Sequence, residues 1–282
     1  MNNPIVAILA PGAMGAGVGK RLIDHGVQVW TLLAGRSSAS RKRATDAGMI
    51  DTPEQRIIGA DFILSIVPPS QALPMAERLA GLLAQARHKP IYVDCNAVSP
   101  KTVEHIGTLF EDICPFVDAG IIGGPPKSGL QGPRFYSSGM HTARFAALRD
   151  FGLDVRLLEG PIGAASALKM SYAGITKGLT ALGSAMMLAA TRAGAAQALH
   201  TELAQSQPAL LTWLTRQIPP MFPKAYRWVG EMEEIADFLA EDKGASRIFG
   251  GAAELYDRLA QDFTGGKQEA SALTDFLAKS NR

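Results

Sequence analysis

A short turn of small residues near the start of the chain has the residue types needed to bind a phosphate. Its pattern is Ala10-x-Gly12-x-x-Gly15, and it follows the apolar, β-branched run Ile5–Leu9. Such a run is typical of a strand buried on both faces, and a helix beginning after the turn has oriented N–H groups and a positive dipole end. The pattern indicates a dinucleotide fingerprint whose first glycine is replaced. Taken alone, it also fits an ordinary strand–turn–helix.

A second candidate for phosphate binding follows the next expected strand, Val27–Leu33. NAD sites usually have Asp or Glu at the end of this strand, where the carboxylate binds the ribose hydroxyls. Residues 34–38 contain no acid. Arg36 and Ser37 can instead bind a 2′-phosphate through charge-assisted hydrogen bonds and a hydroxyl donor. We therefore expect NADP in preference to NAD; the alternative is a solvated arginine on a turn.

Alternating strands and helices are expected to position these turns. Further apolar strands, the first at 60–67 and the last at 155–158, alternate with helical segments, which is typical of a doubly wound, mostly parallel sheet. Ligands of such sheets gather beyond the carboxyl ends of the strands. Besides the glycine turn and Arg36, the residues expected at those ends are Val67, Pro68, Asn96, Gly123 and Gly124.

From Ala164 onward the sequence predicts helices alone. We therefore predict two domains, a Rossmann-type α/β domain at 1–162 and an all-helical domain at 163–282. The apolar stretch Ala164–Ala190 contains two lysines and several glycines, which favours a buried helix over a membrane span. In the helical half, Glu231 belongs to an acidic cluster that we interpret as a solvated face or a subunit contact.

Composition narrows the classes of partner. Hydrophobic residues make up 47% of the chain and charged residues 19%, so large cores can form. A net charge of +2 gives no electrostatic basis for binding nucleic acid or an anionic membrane, and we expect a small-molecule substrate instead. Cys95 and Cys114 lie in apolar runs, so we expect neither a disulfide nor a metal site. We see no secretory signal in the short run at 5–9 and expect the cytoplasm.

With these pieces placed, the chain resembles the β-hydroxyacid dehydrogenase superfamily, which includes 3-hydroxyisobutyrate and 6-phosphogluconate dehydrogenases. The family's Gly-Leu-Gly-x-Met-Gly turn corresponds to residues 10–15, and its Asp-x-Ser-Thr-x-x-Pro segment to residues 94–100, where both hydroxyl side chains are replaced. The resemblance covers most of residues 5–180. The cofactor-binding residues that it implies, together with those argued above, are Pro11, Gly12, Ala13, Met14, Gly15, Arg36, Ser37, Val67, Pro68 and Asn96.

The family's two substrate motifs are matched in part. Its Asp-Ala-Pro-Val-Ser-Gly-Gly corresponds to residues 118–124, with Ile122 in place of the substrate-binding serine. Its catalytic helix, Gly-x-x-x-x-x-Lys-x-x-x-Asn, retains Gly163 and Lys169 but has Ala173 in place of the asparagine. The chain is also similar to an uncharacterised branch with a divergent C-terminal domain, through residues 169–173 and 227–232. The parent family's substrate is therefore not carried over.

The resemblance makes Lys169 the general acid or base of a hydride transfer between NADP and a hydroxy acid or related carbonyl compound. A lysine can move this proton when burial or a neighbouring positive charge lowers its pKa. Tyr172 and Ala173 share its helix face, and Lys177 lies two turns on. The expected substrate-binding residues are Ile122, Gly123, Gly124, Tyr172, Ala173 and Lys177. The plainer alternative for Lys169 and Lys177 is a structural ion pair.

Two other functions fit the same residues. Imine reductases share the fold but usually replace the lysine, and a regulatory NADP-binding protein would keep the glycine turn without turnover. The region after Ala164 is rich in Ala, Leu and Met, more than a lone helical layer should need. Together with the resemblance, this predicts a homodimer formed through the helical domain.

Overall fold

The computed structural model describes residues 3–126 and 132–279. The chain divides into two compact units, Met1–Met170 and Ser171–Arg282. The division falls inside a long helix, Ala164–Arg192, and lies eight residues after the domain boundary predicted at 162. In the residues described, no helix has the length and apolarity needed to cross a membrane.

The described part of the first unit has one sheet of eight strands, ordered β3-β2-β1-β4-β5-β6-β7-β8. The strands are β1 Ile5–Ile8, β2 Gln28–Thr31, β3 Ile50–Asp51, β4 Phe62–Ser65, β5 Ile91–Asp94, β6 Phe116–Ile122, β7 Arg134–Ser138 and β8 Asp154–Leu157. Every neighbouring pair is parallel except β6 with β7. The predicted doubly wound, mostly parallel sheet is confirmed.

Helices connect the strands and form the whole of the second unit as described. In the first unit they are α1 Ala13–Asp24, α2 Ser38–Ala47, α3 Glu54–Ile57, α4 Pro69–Ala84, α5 Pro100–Thr108 and α6 Thr142–Phe145, followed by a 3₁₀ turn, Ala146–Phe151. The helix α7 is Ala164–Arg192. The remaining helices are α8 Ala196–Ser206, α9 Pro208–Gln217, α10 Ala225–Phe238, α11 Lys243–Thr264 and α12 Gln268–Leu277, with a 3₁₀ turn at Pro219–Lys224. The all-helical second half is confirmed.

The sheet has a hydrophobic core on each face. Along β1, Val6 and Ile8 belong to one core, whereas Ala7 and Leu9 belong to the other. Successive side chains of a strand point to opposite faces, so a strand covered on both sides needs a continuous apolar run. This is why the run Ile5–Leu9 forms a central strand.

The strand β6 is longer than the sequence suggested. The sequence predicts a strand at 115–118 that leads into the glycine-containing segment 119–126. In the structure β6 continues to Ile122, where its last residues pair with the antiparallel β7. A Cβ at Gly120 would lie 2.7 Å from the Ala165 carbonyl oxygen, so this glycine allows a helix to approach the strand and does not form a turn.

The second unit has its own core, centred on α10 and α11. Met232 and Ile235 of α10 and Tyr256 and Leu259 of α11 are almost fully buried. This burial accounts for the amphipathic pattern of both helices.

Candidate cofactor and proton-transfer site

The turn between β1 and α1 assigns different roles to its two glycines. A Cβ at Gly15 would overlap the Ala10 carbonyl oxygen, so this glycine lets α1 pack directly on the end of β1. Around Gly12, by contrast, no atom of the described residues other than its chain neighbours would lie within 4 Å of a Cβ. Gly12 is the residue that precedes the helix, and the described residues supply no side-chain cap there. The turn therefore leaves room for a phosphate at a helix N-terminus.

Two arginines bind the backbone beside this turn. The Arg36 Nη2 donates to the Leu9 carbonyl oxygen at 3.3 Å. The Arg43 Nε donates to the Pro11 carbonyl oxygen at 3.0 Å, and its Nη2 to Ser40 Oγ at 2.9 Å. Two guanidinium groups thus lie at the carboxyl ends of β1 and β2, where a 2′-phosphate is expected.

Arg43 was missed by the sequence reasoning. Its signal was available, because it lies one helical turn after Ser40 in a helix that begins directly after the predicted phosphate-binding turn. Ser37 was predicted as a phosphate ligand, and its Oγ caps α2 by accepting from the Ser40 N–H at 3.3 Å. The Ser37 hydroxyl in turn donates to Ser40 Oγ at 3.2 Å, so a bond from Ser37 to a phosphate stays a prediction.

Beside Arg36 lies an open cavity of about 310 Å³. Its wall is apolar at Leu32 and Met75 and polar at Gln71, while Glu54 forms an ion pair with Arg78 at 2.6 Å. A volume of this order suits part of a small ligand. The ion pair neutralises the carboxylate that lines this cavity, so it offers less repulsion to an anion than a free acid would.

Asn96 holds the turn that follows β4. Its Oδ1 accepts from the Val67 N–H at 2.7 Å, and its Nδ2 donates to Ser65 Oγ at 3.0 Å and to an Asp94 carboxylate oxygen at 2.9 Å. The side chain is buried. Through these bonds Asn96 caps the loop that follows β4. Cofactor contacts of Asn96, Val67 and Pro68 stay predictions.

Lys169 lies against β6. Its Nζ donates a hydrogen bond to the carbonyl oxygen of Ile121, the residue before the predicted substrate contacts at 122–124. A Cβ at Gly120 would lie 3.0 Å from the Lys169 Cβ, so the missing side chain brings helix and strand together. Gly123 has φ +123°, a backbone conformation that favours glycine. The structure therefore places Lys169 and the predicted substrate-binding glycines, Gly123 and Gly124, at the same end of the sheet.

The start of α7 is bound by Asp118, a residue that sequence reasoning did not assign to the site. Its carboxylate accepts from the N–H groups of Gly163 and Ser166 and from the hydroxyls of Ser138 and Ser166, at 2.8–3.1 Å. Asp118 is fully buried, and burial raises its pKa, against the lowering effect of these hydrogen bonds. The family motif at 118–124 contained the signal, because a charged residue in a buried strand needs partners.

The remaining predicted substrate residues lie on α7 in the second unit. Tyr172 is 51% exposed and Ala173 is buried. Lys177 forms an ion pair with Glu231, both side chains being about one-sixth exposed, and its Nζ lies 5.1 Å from the Trp228 ring centroid. Glu231 is therefore paired and mostly buried, not on the solvated face that we expected, and a subunit contact stays a prediction. The structural ion pair was the alternative for Lys177, and its substrate role stays a prediction.

The cysteines are free and buried in the described structure. Burial raises the pKa of the Cys95 thiol, and it raises that of Cys114 to about 11. Both groups stay protonated at neutral pH and are poor nucleophiles. Within residues 3–126 and 132–279, no three His, Cys, Asp or Glu side chains are grouped to hold a metal ion.

The fold and the glycine turn define a dinucleotide-binding α/β protein, and comparison with known families agrees. Residues 6–150 match the family model described as the NAD binding domain of 6-phosphogluconate dehydrogenase. Residues 190–259 match a domain of unknown function, DUF1932. The chain belongs to the β-hydroxyacid dehydrogenase superfamily, with a DUF1932 C-terminal domain. The NAD-binding domain of this family points to a nicotinamide cofactor.

Individual relatives extend this result. The solved structure of MTH1747, a conserved protein of unknown function described as similar to 3-hydroxyacid dehydrogenases, is 29% identical, with a TM-score of 0.68 over 95% of this chain and 99% of that one. The Mycobacterium tuberculosis 3-hydroxyisobutyrate dehydrogenase, solved with L-serine, is 17% identical, with a TM-score of 0.71 over 97% and 99% of the two chains. The latter likeness concerns the fold alone.

An uncharacterised 28.5 kDa protein of Methanothermus fervidus is 31% identical over 158 residues. The match spans 55% of this chain and 59% of that protein, less than two thirds of its length.

Proposed function

We propose that the protein is an NADP-dependent oxidoreductase that acts on a hydroxy acid or a related carbonyl compound, with Lys169 as general acid and base. The main observation in support of the proposal is the hydrogen bond between Lys169 and the Ile121 carbonyl oxygen, next to Gly123 and Gly124. The glycine turn at 10–15 lies at the same edge of the sheet, because the carboxyl ends of parallel strands share an edge.

NADP, when bound, supplies or accepts the hydride; the chain's own residues supply the proton transfer and the binding surfaces. In reduction the ammonium of Lys169 donates a proton to the carbonyl oxygen, and in oxidation its amine accepts the hydroxyl proton. The bond to the Ile121 oxygen orients the amine and uses one of three donors.

The backbone of Gly123 and Gly124 is accessible to a carboxylate or carbonyl group, since neither residue has a side chain. Ile122 replaces a serine at this point of the family motif and is buried. We therefore expect a substrate that is bulkier or less polar than a small hydroxy acid.

A substrate screen tests the proposal. Absorbance of the reduced nicotinamide is followed with NADPH or NADP against a panel of hydroxy acids, aldehydes, ketones and imines. Turnover of an alcohol or carbonyl substrate supports the proposal. Turnover of imines alone would favour an imine reductase, and tight NADPH binding without turnover across the panel would favour a regulatory nucleotide-binding protein.

Replacing Arg36 by alanine is expected to weaken NADPH binding by about 10- to 100-fold and NADH binding by less than about threefold. A hydrogen bond to a charged group contributes about 1.5–3 kcal/mol, and only NADPH has the 2′-phosphate. Titration of nucleotide fluorescence measures both dissociation constants. Arg43→Ala should act in the same direction, because its guanidinium lies at the same turn.

Lys42→Ala is the matched control, since it removes one positive charge from α2, the helix that follows Arg36 and contains Arg43. Lys42 is exposed and paired with Asp46, one turn along the helix, at 3.0 Å. It should change both affinities equally and slightly. Equal losses for NADPH and NADH in Arg36→Ala would exclude the 2′-phosphate role.

We also propose a homodimer formed through the helical half, and α7 supplies its supporting observation. Five large apolar side chains on this helix are 41–65% exposed: Tyr172, Ile175, Leu179, Leu182 and Met186. Their spacing of three and four residues alternates, which aligns them on one helix face. An aligned apolar stripe of this kind fits the equivalent helix of a second copy better than it fits water.

The double variant Ile175→Asp/Leu182→Asp is expected to be a monomer at micromolar concentration, where the wild type is a dimer. Two carboxylates at the centre of the stripe would be desolvated in the interface. Light scattering coupled to size exclusion measures the mass. Ile248→Asp, at a 67% exposed apolar residue of α11, serves as the control and should stay dimeric. A monomeric wild type would refute the proposal.

We further expect the protein to reside in the cytoplasm. Cys95 and Cys114 are free thiols, which a reducing compartment maintains. Fractionation of cells producing the chain would test this expectation.

A further inference from the structure

The first turn of α7 is capped by residues that are distant in sequence. The first N–H groups of a helix have no partner inside it, and a Ser, Thr, Asp or Asn directly before the helix usually supplies one. Here that residue is Gly163, which has no side chain and a φ of +98°. The N–H groups of Gly163 and Ser166 instead donate to Asp118 Oδ2, at 2.9 and 3.1 Å.

A second strand takes part in this cap. The Ala165 N–H donates to Ser138 Oγ at 3.0 Å, and the Ser138 hydroxyl donates to Asp118 Oδ2 at 3.0 Å. Ser138 and Asp118 are directly paired in the β6–β7 ladder. Ser166 Oγ donates to the other carboxylate oxygen at 2.8 Å. Both oxygens of Asp118 are therefore engaged, and the carboxylate lies at the positive end of the helix dipole.

The helix and β6 make a second contact three residues further on. On the strand, Ile121 follows Asp118 by three residues and accepts from Lys169; on the helix, Lys169 follows Ser166 by three residues. Between these contacts Gly120 faces the Ala165 carbonyl, where a Cβ would lie 2.7 Å from the oxygen. Two fixed points on one strand and two on one helix determine both the rotation and the axial position of the first helical turns.

We propose that Asp118 is a positioning residue for Lys169, holding α7 in the one register in which the lysine amine meets the Ile121 carbonyl. This inference rests on the proposed proton-transfer role of Lys169 for its functional meaning. Asp118 acts on the helix start and, through it, on the amine. The cap ties the position of Lys169 to two strands of the first unit, β6 and β7.

The experiment compares Asp118→Ala with Asp118→Asn and measures the chemical reactivity of the Lys169 amine in the absence of substrate. Asparagine keeps an oxygen for both amide N–H groups, and Ser166 Oγ can accept from the new side-chain NH2 group; alanine removes every acceptor. Acetic anhydride is the probe, and peptide mass spectrometry gives the acetylation rate of each lysine. The exposed Lys101 and the ion-paired Lys177 serve as internal references in the same sample.

Acetylation of Lys169 relative to Lys101 is expected to rise about tenfold in Asp118→Ala, because the hydrogen bond that restrains the amine is lost. Asp118→Asn is expected to restore the wild-type rate, with Lys177 unchanged in both. A wild-type Lys169 rate in folded Asp118→Ala would overturn the proposal. An equal rise at Lys177 would also overturn it, since the effect would then be general unfolding.

If Asp118→Ala does not fold, the double variant Ser138→Ala/Ser166→Ala removes the two hydroxyl partners of Asp118 and the acceptor of the Ala165 N–H, while the carboxylate still accepts from the Gly163 and Ser166 N–H groups. It should raise Lys169 acetylation by about threefold, and no rise would count against the proposal. Once the screen has provided a substrate, Asp118→Ala should lower kcat with an unchanged NADPH dissociation constant, and Asp118→Asn should recover it.

This design separates the two proposals. An active Lys169→Met enzyme would exclude the proton-transfer role of Lys169. The acetylation result would still show whether Asp118 positions the amine. An unchanged acetylation rate would end the positioning role and leave the chemistry of Lys169 intact.

Discussion

Replacing Lys169 by methionine is expected to lower kcat at least ~10²-fold, the typical loss on removing a general acid or base. Methionine has a similar length and no titratable group, so the packing against Gly120 is retained while the proton transfer is lost. The dissociation constant of NADPH should stay within about twofold, because Lys169 contacts β6 and the glycine turn follows β1. Steady-state rates with the substrate from the screen, across pH 5–10, measure the effect.

Two companion variants decide what the lysine does. Lys169→Arg keeps a cation and a donor toward the Ile121 carbonyl but does not release its proton in the working pH range. It should be as impaired as the methionine variant if Lys169 transfers the proton, and much more active if the residue supplies charge alone. Lys101→Met, at an exposed position of α5, should behave as wild type. Near wild-type turnover by Lys169→Met at every pH would remove this residue from the mechanism.

Replacing each glycine of the β1–α1 turn by alanine is expected to have a different effect, on protein stability at Gly15 and on nucleotide affinity at Gly12. Gly15→Ala should destabilise the protein by about 1–3 kcal/mol, because its Cβ would overlap the Ala10 carbonyl oxygen and force α1 away from β1. Gly12→Ala should leave stability within about 1 kcal/mol, since the methyl group enters open space. It should nevertheless weaken binding of both nucleotides at least about tenfold, because that space is where a phosphate would approach.

Denaturant unfolding and nucleotide titration, performed on the same samples, measure the two effects. Gly81→Ala is the matched control, because a Cβ at this glycine of α4 would likewise have no atom of the described residues within 4 Å beyond its own helix and chain neighbours. It should keep nucleotide affinity and gain slightly in stability. Wild-type affinity in Gly12→Ala would mean that the phosphates bind elsewhere.

Much of the fold could be predicted because its signals are local. The run Ile5–Leu9 has apolar residues on both of its faces, and a strand between two cores requires such a run. The glycine spacing after it predicted a helix beginning at Ala13, which is where α1 begins. Helix-forming composition after Ala164, with no alternating segment, was enough to predict the all-helical second half.

The contacts of the candidate site could not be predicted in the same way, because their partners are distant in sequence. Asn96 forms a hydrogen bond with Ser65, 31 residues earlier, and Lys177 forms an ion pair with Glu231, 54 residues later. Polar side chains with suitable chemistry suggested ligand contacts, yet burial demands that such groups find partners within the protein. Gly120 was misread for a related reason, since a glycine marks either a turn or a close approach and the neighbour decides which.

The backbone bonds of Arg36 and Arg43 also affect the entropy of cofactor binding. A free arginine side chain loses up to about 2 kcal/mol of rotational freedom when it is fixed around a ligand. Here part of that loss has already occurred on folding, because the Leu9 and Pro11 carbonyl oxygens hold the two guanidinium groups. A nucleotide phosphate would therefore meet cations that are already in place. The difference in binding free energy between NADPH and NADH should accordingly be mostly enthalpic, because little side-chain entropy is lost on binding.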